Sequence, residues 1–398
     1  MRTQSSVGGV VIAAVVILLG TALATVPTPL YPLYAHELGL DAVGITTTFA
    51  AFAGGAVCGL IVALVGSSRL PRRRVYLLAA TLQAVSAFVL AADLGVPGFV
   101  VGRVVTGIGS GLLAASGTAF VLELGQGLAP RGARTARTVA PALAFAGLGL
   151  GPLISAVSAP VDVPGARLVF FGTGLLLVAG LSLSLVLLPA HVGREGGVSA
   201  RGRRPALAWS PRFGAFAAFM TTGLFGSVTT VLLAELGVHD ISVSGGFAAS
   251  VFLFGALGVV TLARRLPAAV SATCLAGALL LVGVAMVLSS AALLIVAAVA
   301  AGTAGGALFA RSLGGAISSA PQHAFARTVS VFLCAHLGLA VPVLGFGFVA
   351  RSAGTEPAVW AFAVLGAAVC LGVVVASRLE ARRTSVQAPD ISRERSLA

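Results

Sequence analysis

Twelve apolar runs, each close to the ~20 residues that a bilayer-spanning helix needs, follow one another along the chain with only short polar breaks between them. In hydrocarbon every backbone N–H and C=O must be paired inside the protein, so runs of this length become helices. With breaks placed at Arg clusters and at Pro, Gly and Asp, the expected spans are 7 to 34, 43 to 66, 75 to 93, 96 to 123, 138 to 160, 168 to 189, 213 to 235, 243 to 263, 268 to 288, 291 to 313, 328 to 350 and 358 to 377. Only Ser289 and Ser290 separate the ninth span from the tenth. The expectation is an all-α polytopic membrane protein, with no room in 398 residues for an extramembrane domain of its own.

Only 9% of the residues are charged, against about a quarter in an ordinary soluble domain, which excludes a soluble globule. After Met1 to Ser6 the apolar stretch runs from Val7 to Pro27 with no small-residue cleavage site, so it reads as a retained first helix rather than a signal peptide.

The net charge of +13 comes entirely from Arg, since the chain has no Lys. A nucleic-acid surface would carry that charge as a stripe; here it sits in clusters between apolar runs, as membrane topology does. On the side of the N-terminus lie Arg2, Arg69, Arg72 to Arg74, Arg131, Arg134, Arg137, Arg194, Arg201, Arg203, Arg204, Arg212, Arg264, Arg265, Arg327, Arg378, Arg382, Arg383, Arg393 and Arg395. The opposite side has Arg167 and Arg351, along with Glu37, Asp41, Asp93, Asp162, Asp240 and Glu356. By the positive-inside rule both termini are expected in the cytoplasm, on a multi-pass protein of the plasma (cell inner) membrane. Cys58, Cys274, Cys334 and Cys370 fall inside apolar runs and read as packing residues rather than a disulfide framework.

The chain repeats itself. Ala136-Arg137-Thr138-Val139 recurs as Ala326-Arg327-Thr328-Val329, with Pro152 and Pro342 at the same offset, and Arg69-Leu70-Pro71 recurs as Arg265-Leu266-Pro267. These echoes occupy corresponding places in two sets of six spans, a transporter architecture of parallel repeats. The expected units are 1–189, a six-helix bundle; 190–212, a cytoplasmic linker; 213–377, a second six-helix bundle; and 378–398, a disordered cytoplasmic tail.

Two glycine patterns stand out. Arg103 precedes Gly107, Gly109 and Gly111 in the fourth span, and Gly147, Gly149, Gly151 and Pro152 lie in the fifth. Glycines at four-residue spacing flatten a helix face for close backbone approach. With twelve spans in two halves, these patterns resemble the major facilitator superfamily over nearly the whole chain, and in particular its twelve-helix branch of drug and small-molecule efflux proteins. The Arg103 pattern is similar to the family's fourth-helix motif, whose Arg the resemblance links to proton coupling. Gly147 to Pro152 is similar to its fifth-helix antiporter motif. The loop between the second and third spans departs from the family pattern: Ser68 replaces its acidic residue and Pro71 its Gly, while Arg69, Arg72 and Arg73 remain. This puts in question the ion-pair lock that the resemblance implies for the cytoplasmic gate. Glu123 is placed to pair with Arg69 or Arg72, or else to stand solvated at its helix end.

Ionisable groups inside the bilayer are rare and functional by default. Arg103 is read as a gating or coupling residue, or as one snorkelling to the outer surface. Arg311 is read as cavity-lining or snorkelling, and His336 as a proton-exchange site or a packed histidine. Glu123 at the cytoplasmic end of the fourth span, and Glu235 and Asp41 at the outer surface, are further proton candidates, with Glu235 otherwise read as a solvated helix-end acid. No span has a carboxylate near its midpoint, and where lipophilic-cation exporters of the resembled family commonly place one, this chain has Thr21 and Thr25. The expected cavity residues are Thr21, Thr25, Arg103, Thr222, Phe225 and Arg311. The expected function is proton-antiport export of a small neutral or anionic organic molecule by alternating access. An importer or facilitator of the same fold is the alternative. A membrane enzyme or receptor is disfavoured, because no nucleophile–base pair, metal spacing, phosphate loop or soluble module is visible. Beyond substrate, protons and lipid, no cofactor, metal or nucleic acid is expected, and the protein is expected to work as a monomer.

Overall fold

A computed structural model describes residues 7–66, 71–126, 128, 130–158, 162–189, 208–320 and 323–387. They form helices α1 (Val7–Ala22), α2 (Tyr31–Leu38), α3 (Ala42–Gly66), α4 (Arg72–Ala91), α5 (Gly95–Gln126), α6 (Pro130–Ser158) and α7 (Val163–Leu187) in a first half. A second half contains α8 (Trp209–Ser227), α9 (Thr229–Glu235), α10 (Ile241–Thr261), α11 (Ala268–Val287), α12 (Ala291–Ser318), α13 (Ala324–Ala353) and α14 (Thr355–Gln387). Among the described residues ten helices are long and apolar enough to span a bilayer, and the α8–α9 pair raises this to eleven. At 16 residues α1 is short for a span; with its continuation to Leu38 it takes the place of the first crossing. The outward faces are apolar, with Val186 81% exposed, as lipid contact requires.

The continuous first span expected over 7 to 34 is corrected: the helix ends at Ala22, and turns and a 3-10 segment at Thr28–Leu30 precede α2. Pro27, Pro29 and Pro32 supply the reason, since each lacks a backbone N–H and its ring clashes with the preceding turn. The seventh span breaks at the corresponding place without proline, bending by 61° between α8 and α9. There Ser227 donates to the carbonyl of Gly223 (2.7 Å) and Thr229 to that of Phe225 (2.7 Å), a back-bonding pattern that bends helices.

Polar residues set the other boundaries. Asp162 and Asp240 accept from the backbone N–H of Gly165 (2.7 Å) and Val243 (2.9 Å), capping α7 and α10, and Asp41 accepts from Gly44 (2.8 Å) at the start of α3. The α11–α12 boundary falls on the two serines: Ser289 takes a positive φ of 46° and Ser290 caps α12. The tail boundary at 377 is corrected, because α14 continues to Gln387. The Glu380 carboxylate accepts from the backbone N–H of Ser210 (3.1 Å) and so ties this extension to the first turn of α8. Residues 388–398, and 190–207 of the expected linker, lie outside the described residues; the remainder of that linker already belongs to α8 from Trp209.

The halves repeat their internal packing. In the first, α3 and α5 interlock through glycine: a Cβ on Gly107 or Gly111 would lie 2.0 or 2.1 Å from the carbonyl oxygen of Phe52 or Ala56. In the second, α10 and α12 do the same, with a Cβ on Gly302 or Gly306 falling 2.1 or 2.0 Å from the carbonyl oxygen of Val251 or Gly255. Across the seam between the halves, α3 packs on α13 and α6 on α10.

Candidate functional site

Among the described residues the halves meet at both ends of the seam and in its middle. At the Arg-poor end, Arg351 pairs with Asp41 (3.4 Å), and the Thr28 hydroxyl donates to the carbonyl of Gly226 (2.7 Å), joining the two broken spans. In the middle, Phe145 of α6 meets Phe219 of α8 and Phe309 of α12 with ring centroids 6.0 and 5.8 Å away. Phe219, Phe309 and Phe332 pack on one another, and His336 stands against Phe219 (5.6 Å). The space left among Phe145, Thr222, Phe252 and Gly305 is about 10 Å³, on the order of one water. At the Arg-rich end, Arg72 pairs with Glu123 and lays its guanidinium 5.8 Å from the ring of Phe325 on α13. One residue of the first half thus contacts both its own acid and the second half at that end. Arg73 stays within its half, donating to the carbonyl of Leu185 (3.1 Å). Ser68 and Arg69 lie outside the described residues.

Arg103 is the largest fully buried side chain, at 0% exposure. Its Nη1 donates to the carbonyl of Ala24 (2.8 Å), in the stretch where the first span has unwound, and Phe52 and Phe49 lie over the guanidinium at 4.8 and 5.8 Å. Burial of this completeness rules out snorkelling. The break and the buried Arg explain each other: unwinding frees a carbonyl that a regular helix would have used, and a desolvated cation needs it.

His336 is 4% exposed. Its Nδ1 lies 2.8 Å from the carbonyl oxygen of Phe332; a carbonyl only accepts, so Nδ1 carries the hydrogen and Nε2 keeps its lone pair. Thr222 lines the small void in the seam, while Phe225 packs on Phe247 of its own half (6.0 Å).

The remaining candidates fall elsewhere. Thr21 and Thr25 face α6 rather than an open cavity: a Cβ on Gly147 would fall 1.7 Å from Thr21 Oγ1 and one on Gly151 2.4 Å from Thr25 Oγ1, while Thr25 Oγ1 donates to the carbonyl of Leu148 (2.7 Å). The fifth-span glycines therefore seat α6 against α1, and Gly149 turns to the seam, toward Leu253 of α10. Gly109 faces Gln83 of α4 instead of α3. Pro152 lies within α6, its carbonyl close against Gly245 of α10. Arg311 is exposed; two residues from Phe309, it lies across the helix from the central cluster. Glu235 is exposed and lines, with Pro32, Ile45 and Thr230, a shallow recess at the Arg-poor end.

Tyr31, Phe49, Phe52, Phe145 and Phe325 build this arrangement and were not singled out in the sequence. Only Tyr31 carried a signal, lying between Pro29 and Pro32 where a helix must break.

The model of the Major Facilitator Superfamily matches residues 10–341. No curated protein sequence matches the chain. Among solved structures, a bacterial homolog of the human lysosomal transporter Spinster, inward-facing and unoccupied, superposes with a TM-score of 0.74 at 16% identity, covering 95% of this chain and 98% of its own. The nucleoside transporter NupG gives a TM-score of 0.70 at 12% identity, and the human organic anion transporter MFSD10 gives 0.65 at 17%. Each covers 92% of this chain and 99% of its own. Likeness at such identities shows the fold, and the family model matches well over half the sequence. Two halves of membrane-spanning helices closed over a seam with a buried Arg and His are thus the arrangement of a membrane transporter, and the chain belongs to the major facilitator superfamily.

Proposed function

We propose that the protein is a secondary transporter that moves a small neutral or anionic organic molecule outward across the plasma membrane in exchange for protons, with its Arg-rich side in the cytoplasm. The observation that carries this reading is the seam itself. Thr222 and His336 are buried at it and Arg103 is buried behind Phe49 within the first half, and the first spans of the two repeated halves break at matching places. Rocking the halves alternately exposes such a site to each side. The missing midplane carboxylate argues against cationic substrates. His336 takes the proton role: it sits at the closed centre, with Nε2 making no hydrogen bond to the described residues. Asp41 and Glu123 are already engaged in ion pairs, and Glu235 is exposed.

The test uses proteoliposomes loaded with permanently charged aryl sulfonates or neutral aryl amides, compounds that carry no proton across lipid themselves. At least one class is expected to leave faster when the external pH is lowered, and internal pH to fall as it leaves. His336→Gln is expected to uncouple the two, keeping movement of the compound but losing its dependence on the pH gradient. Release by the wild type at a rate indifferent to the pH gradient would identify a facilitator instead.

A further inference from the structure

We propose that the free edge of Arg103, with the Tyr31 hydroxyl, is a carboxylate-binding site, and that the transported compound is an organic anion whose carboxylate docks there. This rests on the transport reading above and narrows its substrate class.

A guanidinium offers five N–H donors in one plane. On Arg103, Nη1 is used by the Ala24 carbonyl and the aromatic rings of Phe52 and Phe49 lie over the group. Nε and Nη2 are buried and make no hydrogen bond to the described residues. Those two groups point the same way along one edge, the geometry with which Arg holds the two oxygens of a carboxylate. Beside them the Tyr31 hydroxyl, 1% exposed as a residue, lies close enough to the guanidinium to interact with it, though not in the geometry of a full hydrogen bond. Among the described residues no carboxylate contacts Arg103.

The donor atoms left without a full hydrogen bond are therefore three, Nε and Nη2 on the charged edge and the neutral Tyr31 hydroxyl, in a flat aromatic setting. A planar, singly charged carboxylate matches that count. A tetrahedral dianion would leave oxygens unmatched among phenyl rings, and a neutral ligand would leave the cation uncompensated, which is costly out of water. The route to the edge is also visible. Phe49 stands between Arg103 and the second half, where a Cβ on Gly226 would lie 3.3 Å from its ring, next to the Thr28–Gly226 hydrogen bond. In this proposal the ligand reaches the guanidinium through this contact when the halves part on the Arg-poor side.

The experiment measures thermal unfolding of the full-length protein in detergent with sodium benzoate, sodium chloride or benzamide, at one ionic strength. Benzoate is expected to raise the melting temperature in a saturable way, with chloride and benzamide giving no comparable shift. Arg103→Lys keeps the charge but not the fork and is expected to weaken benzoate binding about 10- to 100-fold, and Tyr31→Phe several-fold. The proposal is overturned if benzamide or chloride matches benzoate, if wild-type protein does not respond to benzoate, or if either variant binds it unchanged; should Arg103→Lys fail to fold, Tyr31→Phe decides. Failure of the broader reading looks different. Benzoate binding without any proton-linked movement in vesicles would remove transport and keep the site. Movement of neutral amides with no benzoate response would keep transport and remove the site.

Discussion

Replacing Arg103 by methionine is expected to raise the melting temperature of the purified protein while abolishing its response to benzoate. Most substitutions of a residue at 0% exposure destabilise, so the sign is diagnostic. Taking an ion out of water costs several kcal/mol even after relaxation. Arg103 recovers part of this through one charge-assisted hydrogen bond, worth about 1.5–3 kcal/mol, and two contacts with aromatic rings, each about 0.5–2 kcal/mol. With no counter-ion among the described residues and two donors unmatched, the balance stays unfavourable. Methionine fills much of the volume, has no charge to desolvate and adapts to irregular space. A rise of a few degrees with loss of function marks Arg103 as kept for its ligand. A fall comparable to that of a core truncation, about 2–5 kcal/mol, would mark it as a structural residue.

The second large effect lies at the glycine interlock. Gly111→Ala places a methyl 2.1 Å from the carbonyl oxygen of Ala56, and Gly107→Ala one 2.0 Å from that of Phe52. The obstruction is backbone on a packed helix, so α3 and α5 must move apart along their contact. Each substitution is expected to destabilise by about 1–3 kcal/mol, and Gly111→Val to leave no monodisperse protein. Gly54, one residue before the interlocked Gly55 on α3, has nothing within 4 Å of its added Cβ and is exposed. Gly54→Ala is therefore expected to stabilise by up to about 1 kcal/mol, the helix-propensity gain alone. Thermal unfolding of the variants side by side checks both signs. Equal effects at Gly54 and Gly111 would show that propensity, not approach of the helices, sets the outcome.

The contrast between these positions shows what hydropathy can reveal. Run length and Arg clusters give the number and order of crossings, because both follow from the bilayer as solvent. Even the weakest boundary, Ser289 and Ser290, falls where the polar pair stands, since a serine hydroxyl caps a helix as readily in a short break as in a long one. Helix ends beyond the bilayer are less legible. α6 starts at Pro130 and α14 runs to Gln387, because a helix continues through arginine-rich turns that carry no apolar signal. The 61° bend after Ser227 had no proline to announce it.

Depth in the membrane was easier to read than direction around a helix. Arg311 and Phe309 sit at nearly the same depth, yet one is exposed and the other packs on Phe145. Thr21 and Thr25 lie on a span expected to line the cavity, but the fifth-span glycines draw them against α6. Arg103 was legible as one of two Arg, with Arg311, that the topology could not explain; its partners, Phe49, Phe52 and Tyr31, come from other helices and leave no local pattern. The Phe145 cluster was hidden for the same reason among 21 phenylalanines.

The central claim is that the halves open on alternate sides of a seam at whose two ends they meet among the described residues. Pulsed electron spin resonance distances test it in a cysteine-substituted background, with one label pair at 41 and 351 across the Arg-poor end and another at 74 and 319 across the Arg-rich end. All of these positions are exposed. The account predicts two populations in which one pair is short while the other is long, with their balance shifted by benzoate and by pH. Two distances that stay fixed, or that lengthen and shorten together under every condition, would contradict it.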